Sequence, residues 1–244
     1  MKVNRNSALI WLPKIRKEGL PCPSTILVPY DHTAMIGDME CNSSDYDIGP
    51  VIDDIAKACD KIGWPCFLRT DLGSAKHSGP SCYLLTDKET IKKKLFTLAE
   101  DQEMKFWMQG PPPAVFMVRQ FLDLDYSFVA FDGLPISREW RIFANPDGLI
   151  CAHPYWPEHA IKGNFHGKTP KGWTKQLKGH HREPGCMPEL ISMAIRAAKV
   201  CDGEWSVDFA MDKAGKWWLI DMAVKDDSWH WPGCPNSISE KGGI

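Results

Sequence analysis

Short apolar and polar blocks alternate through the first third of the chain. Residues 24–30 form a mainly apolar run rich in β-branched side chains, which predicts a buried strand. Beyond Gly49-Pro50, apolar residues recur at helical spacing, and Gly63 is placed to cap the end of that helix. Residues 64–69 predict the next strand. The order strand, helix, strand favours an α/β layer over an all-β fold.

A second helix and a strongly apolar strand follow a loop rich in glycine, serine and histidine. Thr86 and Glu89 form a candidate capping box for this helix. The consecutive prolines that begin at Pro111 make a stiff, extended break. Residues 114–118, directly after the break, predict a strand.

Two predicted β-hairpins dominate the second half of the chain. Residues 138–143 and 149–153 flank an Asp-Gly turn, which is a good hairpin signal. Residues 188–200 have the apolar spacing of a helix. Strands over 205–211 and 216–222 form the second hairpin, and the remainder of the chain predicts an irregular tail.

Each strand of the second hairpin contains a carboxylate, Asp208 or Asp221, among aromatic and aliphatic residues. A loop of two residues would pair them directly, and a loop of four would make them diagonal neighbours, within roughly 4.5 to 8 Å on one face. A loop of three or five would separate them. Close carboxylates repel, and a hard divalent cation, Mg²⁺, would relieve the repulsion. The alternative is that one or both point into solvent at a sheet edge.

A magnesium site of this kind usually includes a nucleotide phosphate, so cationic residues are expected as well. Arg141 is on a half-buried strand, where its guanidinium suits a two-pronged phosphate contact with Glu139 as an orienting partner. A structural ion pair across the sheet is an equally good interpretation. Arg69 ends an apolar strand before a loop in which small residues flank Lys76. That loop would let backbone amides and an ammonium reach phosphate oxygens.

The composition of the 244 residues limits the possible partners and compartment. Because 29 Lys and Arg residues nearly cancel 31 Asp and Glu residues, the net charge is -2 and bulk nucleic-acid binding is not expected. A magnesium-nucleotide site fits that balance, since it contains cations and carboxylates together. Nine cysteines without a CxxC pair predict free thiols in a reducing compartment. We expect a cytoplasmic protein that does not span a membrane.

Two further polar features have both a functional and a structural interpretation. Residues 157–185 hold six basic and two acidic side chains with interleaved aromatic residues and histidines. They predict either a solvated, mobile loop, which we favour, or a substrate lid with a groove for an anionic acceptor. His230 lies between Trp229 and Trp231. It is either an acid-base group for the acceptor or, as we favour, a histidine packed between surface tryptophans.

Taken together, residues 67 to 223 resemble the ATP-grasp superfamily. Phe67-Leu-Arg69 and its small-residue loop resemble the family's phosphate-covering loop, and Glu139-Trp-Arg-Ile-Phe143 resembles the strand whose arginine reaches the phosphates. Ser206-Val-Asp-Phe209 and Leu219-Ile-Asp-Met-Ala223 resemble the closing metal-binding hairpin. The family's hinge strand, whose backbone binds adenine, is similar to Val118, Arg119, Gln120, Phe121 and Leu122. The arginine-using members are the closer likeness, because Arg69 stands where lysine is more usual.

The resemblance implies an α/β (α+β) fold in which two lobes enclose a nucleotide. It divides the chain into a small N-terminal α/β region at 1–62, a small lobe with the hinge at 63–122, and a large lobe with the metal-binding hairpin at 123–244. The implied cofactors are ATP and Mg²⁺. The implied site residues are Arg69, Lys76, Val118, Arg119, Gln120, Phe121 and Arg141 for the nucleotide, with Lys76 and Arg141 as catalytic groups, and Asp208 and Asp221 for the metal.

The activity that the resemblance implies is ATP-dependent carboxylate-amine ligation through an acyl phosphate, with a small-molecule, peptide or protein acceptor. The chain departs from the family at Ala223, where the closing motif usually has an asparagine ligand. Asp226, Asp227 or Ser228 would replace that ligand only if the following loop folds back. The alternative function is a non-catalytic, ATP-binding assembly factor or chaperone, because some translation-factor assembly proteins use a related fold.

Overall fold

A computed structural model of the chain shows two compact units, each with its own antiparallel sheet. The first unit comprises residues 1–7, 23–122 and 132–134, and the second comprises 8–22, 123–131 and 135–244. The residues that the structure describes are 4–41, 46–73, 83–109, 112–131, 133–163 and 169–237.

Helices and strands alternate in the first half of the described chain, and strands dominate the second half. In chain order they are α1 (Ala8–Lys17), β1 (Thr25–Pro29), α2 (His32–Cys41), α3 (Gly49–Ile62), β2 (Cys66–Thr70), β3 (Leu84–Leu85), α4 (Ile91–Gln109), β4 (Val115–Gln120), β5 (Tyr126–Ala130), β6 (Leu134–Ser137), β7 (Glu139–Asn145), β8 (Gly148–Pro154), α5 (Glu158–Lys162), α6 (Trp173–His180), α7 (Met187–Cys201), β9 (Trp205–Met211) and β10 (Trp217–Val224), followed by a 3-10 turn at Lys225–Asp227.

The sheet of the first unit has the strand order β1-β4-β2-β3, and all of its pairs are antiparallel. Helix α3 packs on β1 and β4, and both α2 and α3 contact α4. Fully buried side chains from helices and strands meet in one apolar core, among them Ile55, Leu68, Leu95 and Phe116. Burial of this apolar surface is the main force that holds the helices on the sheet.

Local sequence signals in the first unit are largely confirmed. Helix α3 begins at Gly49, and Gly63 caps its end with a φ of 102° while its N–H donates to the carbonyl of Cys59 at 2.7 Å. The predicted capping box of α4 is wrong. The hydroxyl of Thr86 donates to the Asp87 carboxylate, which in turn accepts the N–H of Thr90 at 2.9 Å, so Asp87 closes the turn directly before this helix.

The sheet of the second unit has the order β10-β9-β7-β8 and is also antiparallel throughout. Both predicted hairpins are present, as β7-β8 and β9-β10. Helix α7 packs on β7, and α1 packs on α7. The predicted mixture of helices and strands is confirmed, and its antiparallel sheets make it an α+β fold.

Helices in the second unit were missed where the signal was short or interrupted. Helix α1 buries Ala8, Trp11, Leu12 and Ile15 at helical spacing, but Pro13 interrupts the pattern. Within 157–185, helices α5 and α6 replace the expected loop, and α6 buries Leu177 and His180. The loop prediction is therefore wrong for these segments.

The boundaries of the two units agree with the predicted division of the chain at one point and differ from it at another. The break after residue 122 falls at the predicted end of the small lobe, whereas residues 8–22 belong to the second unit. The predicted boundaries at 62 and 122 stay predictions. Within the described residues, every helix is too short or too polar to span a bilayer.

Candidate functional site

A row of three charged side chains crosses the sheet of the second unit. The register pairs Arg141 of β7 with Asp208 of β9, and it pairs Asp208 with Asp221 of β10. Directly paired residues of an antiparallel sheet point to the same face. We call these three residues the charged row. The fold thus brings together, on one face, the arginine and both carboxylates that the second half of the sequence offered.

An irregularity in β10 determines the sheet face on which Asp221 lies. Five residues, 212–216, separate β9 from β10, and a loop of that length was expected to put the two carboxylates on opposite faces. A β-bulge between Leu219 and Asp221 adds one residue to β10 and shifts the register back. Asp208 and Asp221 are therefore direct cross-strand neighbours in spite of the loop.

The loop of this hairpin is fixed by the side chain of Asp212. Its Oδ1 accepts the N–H groups of Ala214 at 3.0 Å and Lys216 at 2.9 Å, and its Oδ2 accepts the indole N–H of Trp218 at 2.8 Å. Gly215 has a φ of 82°, which glycine adopts without strain. These contacts set the start of β10 and hence the register of Asp221.

Arg141 and Asp208 form a two-pronged ion pair. The Nε of Arg141 donates to Oδ1 of Asp208 at 2.8 Å, and its Nη2 donates to Oδ2 at 2.8 Å. A third N–H, on Nη1, donates to the carbonyl of Trp229 at 3.3 Å. The guanidinium carbon lies 4.8 Å from the ring centre of Tyr155, within cation-π range. The guanidinium is therefore held in one orientation.

The pair is buried enough for its charges to interact strongly. Asp208 is 4% exposed. Burial acts against the charge of Arg141, but the Asp208 carboxylate outweighs it, and the pKa of Arg141 is raised with a smaller contribution from Asp221. Arg141 therefore stays cationic and offsets one of the two carboxylates. The expected partner of Arg141 was Glu139, which instead accepts the hydroxyl of Ser137.

Two hydroxyl groups lie near Ala223, the position at which the sequence resemblance led us to expect an asparagine. Ala223 pairs across the strands with Ser206, on the same sheet face as the charged row. The hydroxyl of Ser206 lies 2.6 Å from that of Ser228, so the chain after β10 does fold back. Asp226 and Asp227 are exposed. Ser228, one of the three candidate replacements for the asparagine, therefore contacts a residue of this face.

The donor set suits a hard cation. Asp221 is half-buried and its Oδ1 accepts the N–H of Met222 at 3.0 Å. Carboxylates and hydroxyls supply the oxygen ligands that Mg²⁺ prefers, and Mg²⁺ is usually held by one or two carboxylates together with phosphates. With Arg141 counted, the row carries a net single negative charge, which a divalent ion would more than offset. The residues present therefore fit magnesium.

The other residues that the sequence predicted to bind the nucleotide belong to the first unit. Arg69 and Arg119 are both buried, and Arg69 donates from Nε to the carbonyl of Thr70 at 3.0 Å. Arg69 pairs with Met117 and Arg119 pairs with Phe67, so the two arginines are diagonal neighbours on one face of that sheet. Two buried guanidiniums therefore lie on one face of this part of the sheet.

The predicted hinge is only partly available for base recognition. Strand β4 is central, and Val118 and Arg119 pair with β1 on one side and β2 on the other. Gln120 pairs with Cys66 of β2, and its N–H donates to the carbonyl of Ser24 at 2.8 Å. Phe121 follows the strand and is 36% exposed. Lys76, the remaining predicted residue, lies outside the described residues.

Two residues that contact Arg141 were not found from the sequence. Tyr155 follows β8 directly, and Trp229 follows the 3-10 turn. An aromatic residue after a hairpin strand is a weak signal, and the Trp229 contact uses a backbone carbonyl, which carries no sequence signature. Only the three-dimensional pairing shows their role.

Comparisons with known proteins identify similar folds. No protein-family model matches the chain, and no curated protein matches it. C-terminally truncated Cdc123 from Schizosaccharomyces pombe is similar with a TM-score of 0.57 and 15% identity, over 90% of this chain and 83% of that chain. N5-carboxyaminoimidazole synthetase from Staphylococcus aureus, complexed with ADP, has a TM-score of 0.52 and 13% identity, over 92% and 46%. Carboxyaminoimidazole ribonucleotide synthase from Aspergillus clavatus, complexed with ATP, has a TM-score of 0.51 and 11% identity, over 90% and 44%.

These similarities concern the fold. The chain spans less than half the length of the two synthetase structures, and both synthetases are ATP-grasp ligases. At 11% to 15% identity, backbone similarity establishes architecture and leaves activity to be argued from the residues. The chain therefore has a divergent form of the ATP-grasp fold.

Proposed function

We propose that this protein is an ATP-dependent ligase of the carboxylate-amine class. A substrate carboxylate is phosphorylated by ATP with release of ADP, and an amine or similar nucleophile then attacks the acyl phosphate and releases inorganic phosphate. The observation that carries the proposal is the charged row, which offers carboxylates for a metal and a guanidinium for phosphoryl charge on one sheet face.

In this proposal the two carboxylates hold Mg²⁺, and Arg141 stabilises negative charge on the transferred phosphoryl group. Bound magnesium would supply charge neutralisation and alignment of the phosphates. Asp208 has a second task, because its two-pronged contact fixes the plane of the guanidinium before any ligand arrives. Preoriented donors of this kind stabilise developing charge without reorganisation during the reaction.

The Ser206-Ser228 hydroxyl pair is proposed to replace the family asparagine near Ala223. A neutral hydroxyl oxygen is an acceptable ligand for Mg²⁺, directly or through water. The pair faces the same side of the sheet as Asp208 and Asp221. This replacement would keep three oxygen-bearing positions at the site in spite of the alanine.

Residues of the first unit are proposed to contact the rest of the nucleotide. Arg69 and Lys76 would approach phosphate oxygens, and Arg119 adds positive charge on the same sheet face as Arg69. Because Val118, Arg119 and Gln120 are all bonded to neighbouring segments on both sides, backbone contacts with adenine are assigned to Phe121, directly after β4.

The experiment that tests the proposal is acceptor-dependent release of ADP and phosphate from ATP. We expect Arg141→Ala to reduce turnover by roughly 100- to 1000-fold, as removal of one electrostatic stabiliser typically does. The matched control is Arg196→Ala, because Arg196 also binds a carboxylate, that of Glu18 at 2.9 Å, but lies outside the charged row. Equal turnover in the two folded variants would contradict the role of Arg141.

A second function, an ATP-binding assembly factor without turnover, is favoured by one observation. Ala223 supplies no oxygen at a position where the ligase family has a ligand. A factor of this kind would bind ATP tightly but release no ADP with any acceptor. The Ala223→Asn variant separates the two functions, because restored turnover in this variant alone would indicate a scaffold that has lost catalysis by this substitution.

A further inference from the structure

A second group of polar side chains lies on the same sheet of the second unit and is not used by the proposed ligase chemistry. It consists of Cys151, His153, His230 and Cys234, and their candidate ligand atoms all lie within 4.8 Å of one another. We call these four residues the Cys/His cluster. Both cysteines are free thiols. Two thiols and two imidazoles at this separation are the donor set of a Cys₂His₂ metal site.

The sheet places the first half of the cluster. Cys151 and His153 are two residues apart on β8, so they point to the same face. The register pairs His153 with Arg141 and Cys151 with Phe143. The cysteine and the histidine therefore lie on the face that also carries the charged row, at the β8 end of the sheet.

The chain after β10 brings the second half of the cluster to β8. The indole N–H of Trp231 donates to the carbonyl of Pro154 at 2.7 Å, and the N–H of Cys234 donates to the carbonyl of Trp231 at 3.1 Å. The imidazole of His230 stacks on Phe143 with ring centres 3.7 Å apart. These contacts hold His230 and Cys234 in a turn above the strand.

The distances within the cluster agree with tetrahedral coordination. The Nδ1 atom of His230 lies 3.5 Å from Sγ of Cys151 and 3.6 Å from Sγ of Cys234. With Zn–S bonds of about 2.3 Å and Zn–N bonds of about 2.0 to 2.1 Å, a tetrahedral ion separates a sulfur from a nitrogen ligand by about 3.5 Å. The side chains are thus already spaced for such an ion.

Burial makes these groups poorly satisfied by the protein alone. His230 is 4% exposed and Cys234 is 7% exposed. The Nε2 atoms of His153 and His230 are buried and have no hydrogen-bond partner among the described residues. A buried polar atom without a partner is costly, and at least one such atom in the cluster would be satisfied by a metal.

The protonation of the groups is compatible with metal binding. Burial lowers the pKa of His153 and of His230, so both imidazoles favour the neutral form that binds metals. Burial, reinforced by Cys234, raises the pKa of the Cys151 thiol to about 12. A bound cation reverses the preference of the thiols, because a coordinating thiol is deprotonated outright.

We propose that Cys151, His153, His230 and Cys234 bind one zinc ion in a four-coordinate structural site. Binding forms two Zn–S and two Zn–N bonds and releases the two thiol protons, so the occupied site is electrically neutral. Zinc suits the sulfur and nitrogen ligands, whereas Mg²⁺ prefers oxygen. Because the protein supplies all four ligands, the ion has no open position for a substrate.

The proposed ion would fasten the C-terminal segment to the sheet beside the charged row. Trp229, whose carbonyl accepts an N–H of Arg141, directly precedes the ligand His230. Zinc would therefore fix the segment that orients Arg141. The proposal does not depend on ATP binding or on ligase activity.

The test is the metal content and the metal response of the reduced, full-length protein. We expect about one zinc per chain after gel filtration, and we expect cobalt(II) in its place to give the visible absorption of a tetrahedral sulfur-nitrogen site. Cys151→Ser should lose most of the zinc. The matched control is Cys186→Ser, since Cys186 is also a half-buried free thiol but lies outside the cluster, and it should keep the ion.

A second measurement covers the case in which the variant does not fold. Wild-type protein treated with a chelator should unfold at a temperature several degrees lower, and zinc but not magnesium should restore it. The proposal is overturned if folded, reduced wild-type protein takes up neither zinc nor cobalt. Equal zinc retention by Cys151→Ser and Cys186→Ser, or a Cys151-Cys234 disulfide that persists under reductant, would overturn it as well.

Discussion

The two ends of one sheet face differ in how their polar groups are balanced. At the β9-β10 end, the buried Asp208 has its counter-ion within the protein, because Arg141 binds both of its oxygens at 2.8 Å. At the β8 end, the Nε2 atoms of His153 and His230 in the Cys/His cluster are buried without a hydrogen-bond partner in the described part of the chain. Arg141 lies between the two ends, paired with Asp208 on one side and His153 on the other.

This difference indicates different demands on a ligand. In the charged row, the ion pair of Arg141 and Asp208 is complete without a ligand. The carboxylate oxygens would accept an additional hard cation. The Cys/His cluster offers two thiols and two imidazoles, which suit zinc, and the proposed ion would complete it. We therefore expect some substitutions in the charged row to change mainly stability and others to change mainly metal binding. Loss of the ion from the Cys/His cluster should lower the free energy of unfolding directly.

The largest expected effect follows from breaking the ion pair at Asp208. Asp208→Ala leaves the largely buried guanidinium of Arg141 without its partner, and this should lower the free energy of unfolding by about 3 to 5 kcal/mol. Urea unfolding measures the change. A double variant, Arg141→Met with Asp208→Leu, removes both charges and should lose far less stability. If Asp208→Ala is as stable as the wild type, the pair does not contribute as the structure indicates.

A smaller effect on stability, but a clear effect on metal binding, is expected at Asp221. Asp221→Asn keeps the shape of the side chain and removes its repulsion with Asp208, so the free energy of unfolding should change by less than about 0.5 kcal/mol. Affinity for Mg²⁺ in the presence of ATP should fall at least about tenfold, because one of two charged ligands is lost. A large loss of stability without loss of magnesium affinity would reverse this assignment.

A gain of function is expected at Ala223. Ala223→Asn supplies an amide oxygen opposite Ser206, on the face of the charged row. Magnesium affinity should rise several-fold, and Ser228→Ala should lower it by a similar factor if the hydroxyl pair serves as the third oxygen position. Magnesium titrations of both variants check this. No change in either variant would remove Ser228 and residue 223 from the site.

The smallest expected effect is the pH dependence contributed by His180. Burial lowers the pKa of His180 in the folded protein, so the unfolded chain binds its proton more readily. The contribution of His180 to the free energy of unfolding is present in full above the unfolded pKa of about 6.5. It is lost as the pH falls below that value, by at most about 1.4 kcal/mol per pH unit.

Unfolding measured at pH 7.5 and pH 5.5 tests this dependence. His180→Gln should lose less stability than the wild type on acidification, because it has no imidazole to protonate. The exposed His159 provides the matched control, and His159→Gln should behave as the wild type does. Identical pH dependence in all three proteins would show that His180 does not contribute.

Local structure could be predicted from the sequence where one segment carries its own signal. Helix α3 and the β9-β10 hairpin follow from apolar periodicity and from glycines at their ends. The bulge before Asp221 has no comparable signature, because it depends on how the Asp212 loop and the neighbouring strand together set the register. The placement of both carboxylates on one face was therefore only one of the outcomes that the sequence allowed.

Contacts between distant segments could not be predicted from local patterns. The pair of Arg141 with Asp208 joins residues 67 positions apart, and the contact of Cys151 with His230 joins residues 79 positions apart. Three residues separate His230 from Cys234, a spacing found in zinc fingers, but Cys151 and His153 lie on a distant strand, so the sequence shows no complete motif. His230, interpreted as a histidine between surface tryptophans, is instead buried on Phe143. Sheet order decides these contacts, and it is a property of the whole fold.

Calorimetric titration of ATP, with and without Mg²⁺, tests most directly whether the charged row binds a magnesium-nucleotide complex. The comparison uses wild-type protein, Asp221→Asn, and the control Asp123→Asn, whose exposed carboxylate binds Lys213 outside the row. We predict that magnesium strengthens ATP binding to the wild type and to Asp123→Asn, and that this gain is lost in Asp221→Asn. ATP binding that is insensitive to both magnesium and the Asp221 substitution would contradict the account.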